Sequence, residues 1–209
     1  TESEANLYNL QVDRSFRLAM AGFIFSEVMS FAAFFGALFY VRQFAVPWLG
    51  ETELLWPGYD GVWPTAGPKG PLPITPDSVA AANQFSPMGA LGIPAINTLI
   101  LLTSGATVTW AHWGLLRDNR AQLITGLFLT VALGIAFITL QAYEYVHAYK
   151  ELGLTLATGI YGATFFVLTG FHGFHVSMGT IMLFVILMRA MAGHFSPHNH
   201  FGFEAVAWY

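Results

Sequence analysis

The sequence predicts an all-α membrane protein, a helical bundle of four complete transmembrane helices followed by the start of a further one. Composition is the first reason. Of the 209 residues, 55% are hydrophobic and only 10% charged, with mean hydropathy +0.56, against about 45–50% apolar and about 25% charged in soluble domains. The second reason is length: the apolar runs 18–41, 95–116, 123–143 and 160–188 each reach the ~20 residues that a helix needs to cross a hydrocarbon core. The third is pattern, because none of these runs shows the alternation of a lipid-facing barrel strand.

Taken in order, residues 1–13 are polar and lack the charged-then-apolar signature of a signal peptide, so no targeting segment is expected. The first span carries a stripe of small residues, Gly22, Ser26 and Ser30, and the third a similar one, Gly126, Thr130 and Gly134; small residues let membrane helices approach closely. Between the first two spans, residues 42–94 hold nine of the ten prolines and turn signals such as "WPGYDG" and "TAGPKGP". They are expected to form an ordered, irregular outer loop without a core of its own. In the fourth span Gly159, Gly162, Gly170, Gly173 and Gly179 leave room for large neighbours such as Phe171 and Phe174. "FGFEAVAWY" at 201–209 begins another aromatic, small-residue segment, and the chain is expected to be truncated at its C-terminus. The whole, 1–209, reads as one bundle domain. Arg14, Arg17, Arg117, Arg120 and Arg189 fall on one side, against Arg42, Lys69 and Lys150 on the other, which places the N-terminus on the cytoplasmic side.

Several chemistries are excluded at this level. With no cysteine there are no disulfides, thiolate metal sites or cysteine nucleophiles in this chain. A net charge of −4 offers no basic footprint for nucleic acid. No phosphate-binding glycine loop and no nucleophile with its base can be assembled, so no catalytic residue is assigned.

The informative residues are the polar ones inside the spans. Glu27, in "FIFSEVMSF", lies about 15 Å along the first span at about 1.5 Å per residue, near the bilayer centre, where an acidic group costs about 2.5–3.5 kcal/mol. It must therefore carry a proton or find a partner on another helix. His172 and His175, in "TGFHGFHVSMGT", share a face of the fourth span, with His175 at a comparable depth, so a buried polar network of Glu27, His172 and His175 is expected. A metal or haem there needs more ligands than two imidazoles, and the one further histidine within a span, His112, falls near the inner end; no metal is assigned. Arg189, His194, His198 and His200 follow the fourth span as a solvated edge suited to anionic lipid head groups. Trp110, Trp113, Tyr143, Tyr145 and Tyr149 read as interfacial anchors, and Glu144 as a hydrated group at the outer end of the third span.

Together "FIFSEVMSF", "INTLILLTSGATVTWAH", "LQAYEY", "IYGATFFVLTGFHGFHV" and "HNHFGFEAVAWY" resemble, in order, subunit III of haem-copper terminal oxidases, most closely the cytochrome c oxidase subunit III family. The resemblance runs from about Arg17 to Tyr209, apart from the outer loop. It maps the chain onto the third to sixth helices of seven-helix members and the beginning of the seventh. Where such members show two histidines before "FGFE", this chain has Asn199 and His200.

The resemblance implies an accessory core subunit of a proton-pumping oxidase that packs against the haem-copper catalytic subunit I, binds phospholipid, and supports proton uptake and durability. It carries no redox centre itself, the haem and copper belonging to partner subunits. It matches the family's buried glutamate to Glu27, its membrane histidines to His172 and His175, its arginine opening the "SEV" helix to Arg17 and its lipid-associated basic residue to Arg189; Arg17, Arg189, His194 and His200 are together expected to bind lipid phosphates. A bacterial plasma membrane is the expected location, with the mitochondrial inner membrane as the alternative. The other functions weighed are subunit III of a quinol oxidase, a stand-alone transporter and a haem-bearing anchor.

Overall fold

The computed structural model of the chain describes residues 10–70, 85–197 and 200–209. It is all-α. Helix α1 (Leu10–Tyr40) continues through a π-helical turn (Val41–Ala45) into α2 (Val46–Glu51), followed by α3 (Ile93–Leu116), α4 (Arg120–Lys150), α5 (Gly159–Met191) and α6 (Phe201–Trp208). The runs Gln11–Glu51, Ile93–Leu116, Arg120–Lys150 and Gly159–Met191 have the length and composition to cross a membrane. The chain is an integral membrane protein, with four spans and a further short helix among the described residues.

The longer helices outrun the apolar stretches that announce them. Hydropathy marks only the part that lipid must cover, while the backbone ladder continues until something ends it. Asp13 in the first turn of α1 is bonded by Arg17 one turn on, at 2.9 Å, and α4 finishes on His147 and Lys150; acid at the start and base at the end both suit the helix dipole. The connection from α3 to α4 is tight. Asp118 turns the chain with φ 54°, and the Asn119 side chain accepts a hydrogen bond from the Gln122 amide at 3.1 Å, satisfying a donor that the first turn of α4 leaves free.

The segment expected to be irregular from residue 42 departs from that expectation at its start, because helical structure persists to Glu51. Pro47 sits in the first turn of α2, where its missing N–H costs nothing, and the preceding turn widens so that the Val46 amide reaches the Val41 carbonyl. Beyond it the loop has a specific task. The carbonyls of Thr65 and Ala66 accept the Tyr161 and Ile160 amides at 3.3 and 3.2 Å, capping the start of α5 in place of a side chain. Gly159 is required there: its φ is +69°, and a Cβ would collide with the Ala66 carbonyl.

The chain forms two compact units, and α1, α4 and α5 contribute residues to both. The first comprises Thr1–Val28, Gly92–Gln141 and Gly173–Tyr209. Its core joins Ala111 and Leu115 of α3, Leu123, Leu127 and Val131 of α4, Ile186, Leu187 and Ala190 of α5, and Phe203 of α6. The Gly126, Thr130 and Gly134 stripe is used in full: a Cβ on Gly126 would lie 2.7 Å from the Ala111 Cβ, one on Gly134 would lie 2.6 Å from the Thr180 hydroxyl, and Thr130 bonds Thr107 at 2.8 Å. The first-span stripe is different, since a Cβ added at Gly22 meets nothing within 4 Å among the described residues.

The second unit comprises Met29–Leu91 and Ala142–His172. Its core is Ala148, Leu154 and Phe166 with Tyr145, Tyr161 and Phe165 packed on it. Tyr145 therefore belongs to packing rather than to an interfacial belt, its hydroxyl 2.7 Å from that of Thr169. Glu144 is likewise not hydrated, being only 6% exposed.

Because α3 and α4 touch through Gly126, Gly126→Ala is expected to lower unfolding stability by about 1–3 kcal/mol through overpacking. Gly36, where a Cβ meets nothing within 4 Å, serves as the control, since Gly36→Ala removes a poor helix former at no steric cost. Denaturant titration of the detergent-solubilised chain, followed by circular dichroism, compares the two.

Candidate functional site

Three features of the structure combine ionisable or apolar groups in ways that packing alone does not require. Two lie in the first unit and one in the second.

The first is centred on Glu204. Phe201–Trp208 begins immediately after His200, so His200 and Glu204 face the same way one turn apart, with Nε2 and Oε1 separated by 3.0 Å. Arg17 of α1 bonds the other carboxylate oxygen, Oε2, and holds Asp13 with its Nε. His112 of α3 brings Nε2 to 3.9 Å from Oε1. Aromatic contacts fix these groups: Phe203 stacks on His112 at 5.3 Å, Phe16 on Phe201 at 6.0 Å, and the Arg17 guanidinium lies 5.6 Å from the centre of the Phe201 ring. The carboxylate is enclosed, with its side chain 14% exposed and that of His200 10%. His200 is thus turned inward, not placed on a solvated edge.

The second is the pair of Glu27 and His175, whose Oε2 and Nδ1 are 3.6 Å apart. The other ring nitrogen of His175 lies 2.9 Å from the main-chain oxygen of Tyr209. That oxygen can only accept, so Nε2 carries a hydrogen. A hydrogen carried by either Nδ1 or Oε2 would join the two groups. The Tyr209 ring stacks on His175 with centroids 4.0 Å apart.

The third feature is a cavity of about 570 Å³ in the second unit, walled by aromatic side chains including Phe31, Phe35, Trp63 and Phe165, with Arg42 and His172 in its lining. His172 also meets Phe31 edge-on at 6.3 Å.

Of the remaining residues singled out from sequence, Arg189 lies over Phe195 at 4.9 Å, and the His194 amide is bonded to the Arg189 carbonyl. His198 lies outside the described residues. Three participants carry too little sequence signal to be chosen in advance. Glu204 and His112 acquire meaning only from each other, although the His200 and Glu204 spacing of one helical turn is a readable hint, and Arg42 is simply a cation at a span end until the cavity shows what it borders.

A double-mutant cycle over Arg17→Gln and Glu204→Gln is expected to give a coupling energy in the range of about 0.5–3 kcal/mol found for residues of one network, measured by unfolding in detergent. For the second pair, the protonated-carboxyl infrared band removed by Glu27→Gln is expected to shift or strengthen in His175→Phe, where the acid must keep its proton alone. A band indifferent to that change rules out proton sharing.

The family model described as Cytochrome c oxidase subunit III matches residues 74–209. Over 198 residues the chain is 40% identical to the cytochrome c oxidase subunit 3 of Hippopotamus amphibius, covering 95% of this chain and 64% of the relative. Over 203 residues it is 43% identical to that of Drosophila melanogaster and 44% identical to that of Aedes aegypti, covering 97% of this chain and 66% of each relative. The chain therefore spans slightly less than two thirds of the length of these proteins. On the extent of the family match and on these identities, this chain belongs to the cytochrome c oxidase subunit III family.

Proposed function

We propose that the chain is an accessory, non-redox core subunit of a proton-pumping cytochrome c oxidase, which binds phospholipid and supports proton uptake and the durability of the catalytic subunit. Membership of the subunit III family carries this reading. In it, oxygen reduction and its haem and copper belong to the catalytic subunit I and other partners, and this chain works on their surroundings. Cytochrome c as the electron donor follows the names of the relatives; a copper-binding set of Cys and His in the complex's second subunit is what distinguishes it from a quinol oxidase. The N-terminus is assigned to the cytoplasmic side, in a bacterial plasma membrane.

Two physical features support the lipid and proton parts of the proposal. The aromatic cavity of the second unit has the size and lining to take an acyl chain, since ligand sites of about 300–1,000 Å³ are lined mainly by apolar groups with a few polar ones for orientation. Arg42 borders it. Among the basic residues, Arg17 and His200 are engaged by Glu204, so a lipid phosphate there would compete with a carboxylate; Arg189 and His194 are the other basic groups proposed to meet a phosphate. In this reading the Glu27 and His175 pair, with His172 one turn away on the same helix as His175, is the polar set that keeps a proton available within the apolar layer.

The oxidase purified without this chain is expected to turn over oxygen but to lose proton-uptake efficiency or operating lifetime. Unchanged behaviour on both counts overturns the proposal.

A further inference from the structure

Glu204 Oε1 has an unusual environment. His200 Nδ1 lies 3.2 Å from the Ser196 main-chain oxygen. A carbonyl cannot donate, so Nδ1 carries the hydrogen and the neutral ring presents a bare lone pair at Nε2. That lone pair faces Glu204 Oε1 at 3.0 Å, which places two acceptors in contact. His112 Nε2 lies 3.9 Å from the same oxygen, and this nitrogen is buried without a hydrogen-bond partner among the described residues. Two imidazole nitrogens and one carboxylate oxygen, all within 4.8 Å of one another, therefore converge on a position where something positive is needed.

We propose that this position is a divalent-metal site of the zinc class, with His112 Nε2, His200 Nε2 and Glu204 Oε1 as protein ligands and a fourth position open to water. The donor set is the nitrogen and oxygen mixture that Zn²⁺ accepts, and three protein ligands with one open position is an established coordination. The geometry is close to the demand. Bonds of about 2.0–2.1 Å in a tetrahedron set ligand atoms about 3.4 Å apart, and the separations of 3.0 and 3.9 Å bracket that value. The outer shell is also of the right kind: the Ser196 carbonyl holds the non-coordinating nitrogen of His200, as backbone carbonyls do for metal-bound histidines. Arg17 binds the opposite oxygen of the same carboxylate, orienting it and leaving Oε1 to the cation. Its charge weakens the attraction, so the site is expected to bind zinc reversibly rather than permanently. With ligands from α3 and from the start of α6, the cation would lock those two helices together, and it would compete with any proton for the two imidazoles.

The competing occupant is a proton alone, with His200 as imidazolium. The experiment uses the intact chain in its membrane complex, stripped with chelator and equilibrated with Zn²⁺. Zinc content is compared among the wild type, His112→Gln, His200→Gln and, as control, His147→Gln, which alters a more exposed pair with Glu151. Each of the first two variants is expected to lose about one zinc per chain, or to bind it at least about tenfold more weakly, and the control to match the wild type. Equal zinc in all four overturns the site in favour of the proton. Should a variant fail to assemble, zinc-edge X-ray absorption of the wild type decides. Two imidazoles in the first shell of the reversibly bound zinc uphold the site, and a shell without imidazole overturns it.

Discussion

The first unit depends on a carboxylate that cannot be left alone in an apolar setting. Glu204 draws Arg17 from α1, His112 from α3 and His200 from the start of α6, and removing either charge of such an enclosed pair leaves the other uncompensated, which costs more than the pair itself contributes. In lipid there is no hydrophobic drive to bring helices together, so a charged group that must be satisfied by several helices at once supplies specificity where apolar burial cannot. The aromatic contacts of Phe16 with Phe201 and of His112 with Phe203 gain their geometry from the same convergence.

Most of the architecture was legible because the bilayer imposes a simple rule. Runs long and greasy enough to cross it must be helices, since nothing else satisfies the backbone there, and the spans at 95–116 and 160–188 differ from Ile93–Leu116 and Gly159–Met191 by only a few residues. What hydropathy could not reveal was the polar continuation of α1 and α4 beyond the lipid, or the helical passage through Val41–Glu51, because backbone hydrogen bonding is indifferent to the solvent change. The two glycine stripes look equivalent in sequence. Gly126, Thr130 and Gly134 meet neighbouring helices closely, whereas a Cβ at Gly22 meets nothing within 4 Å among the described residues, and the difference lies in which face the tertiary arrangement covers, which no period of 3.6 encodes.

The polar groups show the same division. Glu27 was conspicuous because burying an acid is expensive, and its place beside His175 rests on matched depth, a quantity that counting residues supplies. Glu204 is inconspicuous in the sequence because it follows the last complete span, where acidic residues are ordinary. The enclosure that makes it unusual comes from side chains nearly 100 and 190 positions away in sequence. Tyr145 and Glu144 erred in the opposite direction. Both sit where an interfacial anchor or a hydrated acid would be conventional; Glu144 is instead buried, and Tyr145 packs on the second unit's own core.

The wide turn at Val41–Ala45 has a consequence for register. An extra residue in a helical turn rotates everything beyond it by about 100°, and Tyr40, Phe44 and Trp48 form a ladder of rings across this turn, with centroids 5.9, 5.6 and 6.1 Å apart. Deleting a single residue there would restore ordinary winding yet swing Trp48 off the ladder. The turn therefore acts as a phase adjuster, setting which way the aromatic end of the first span looks.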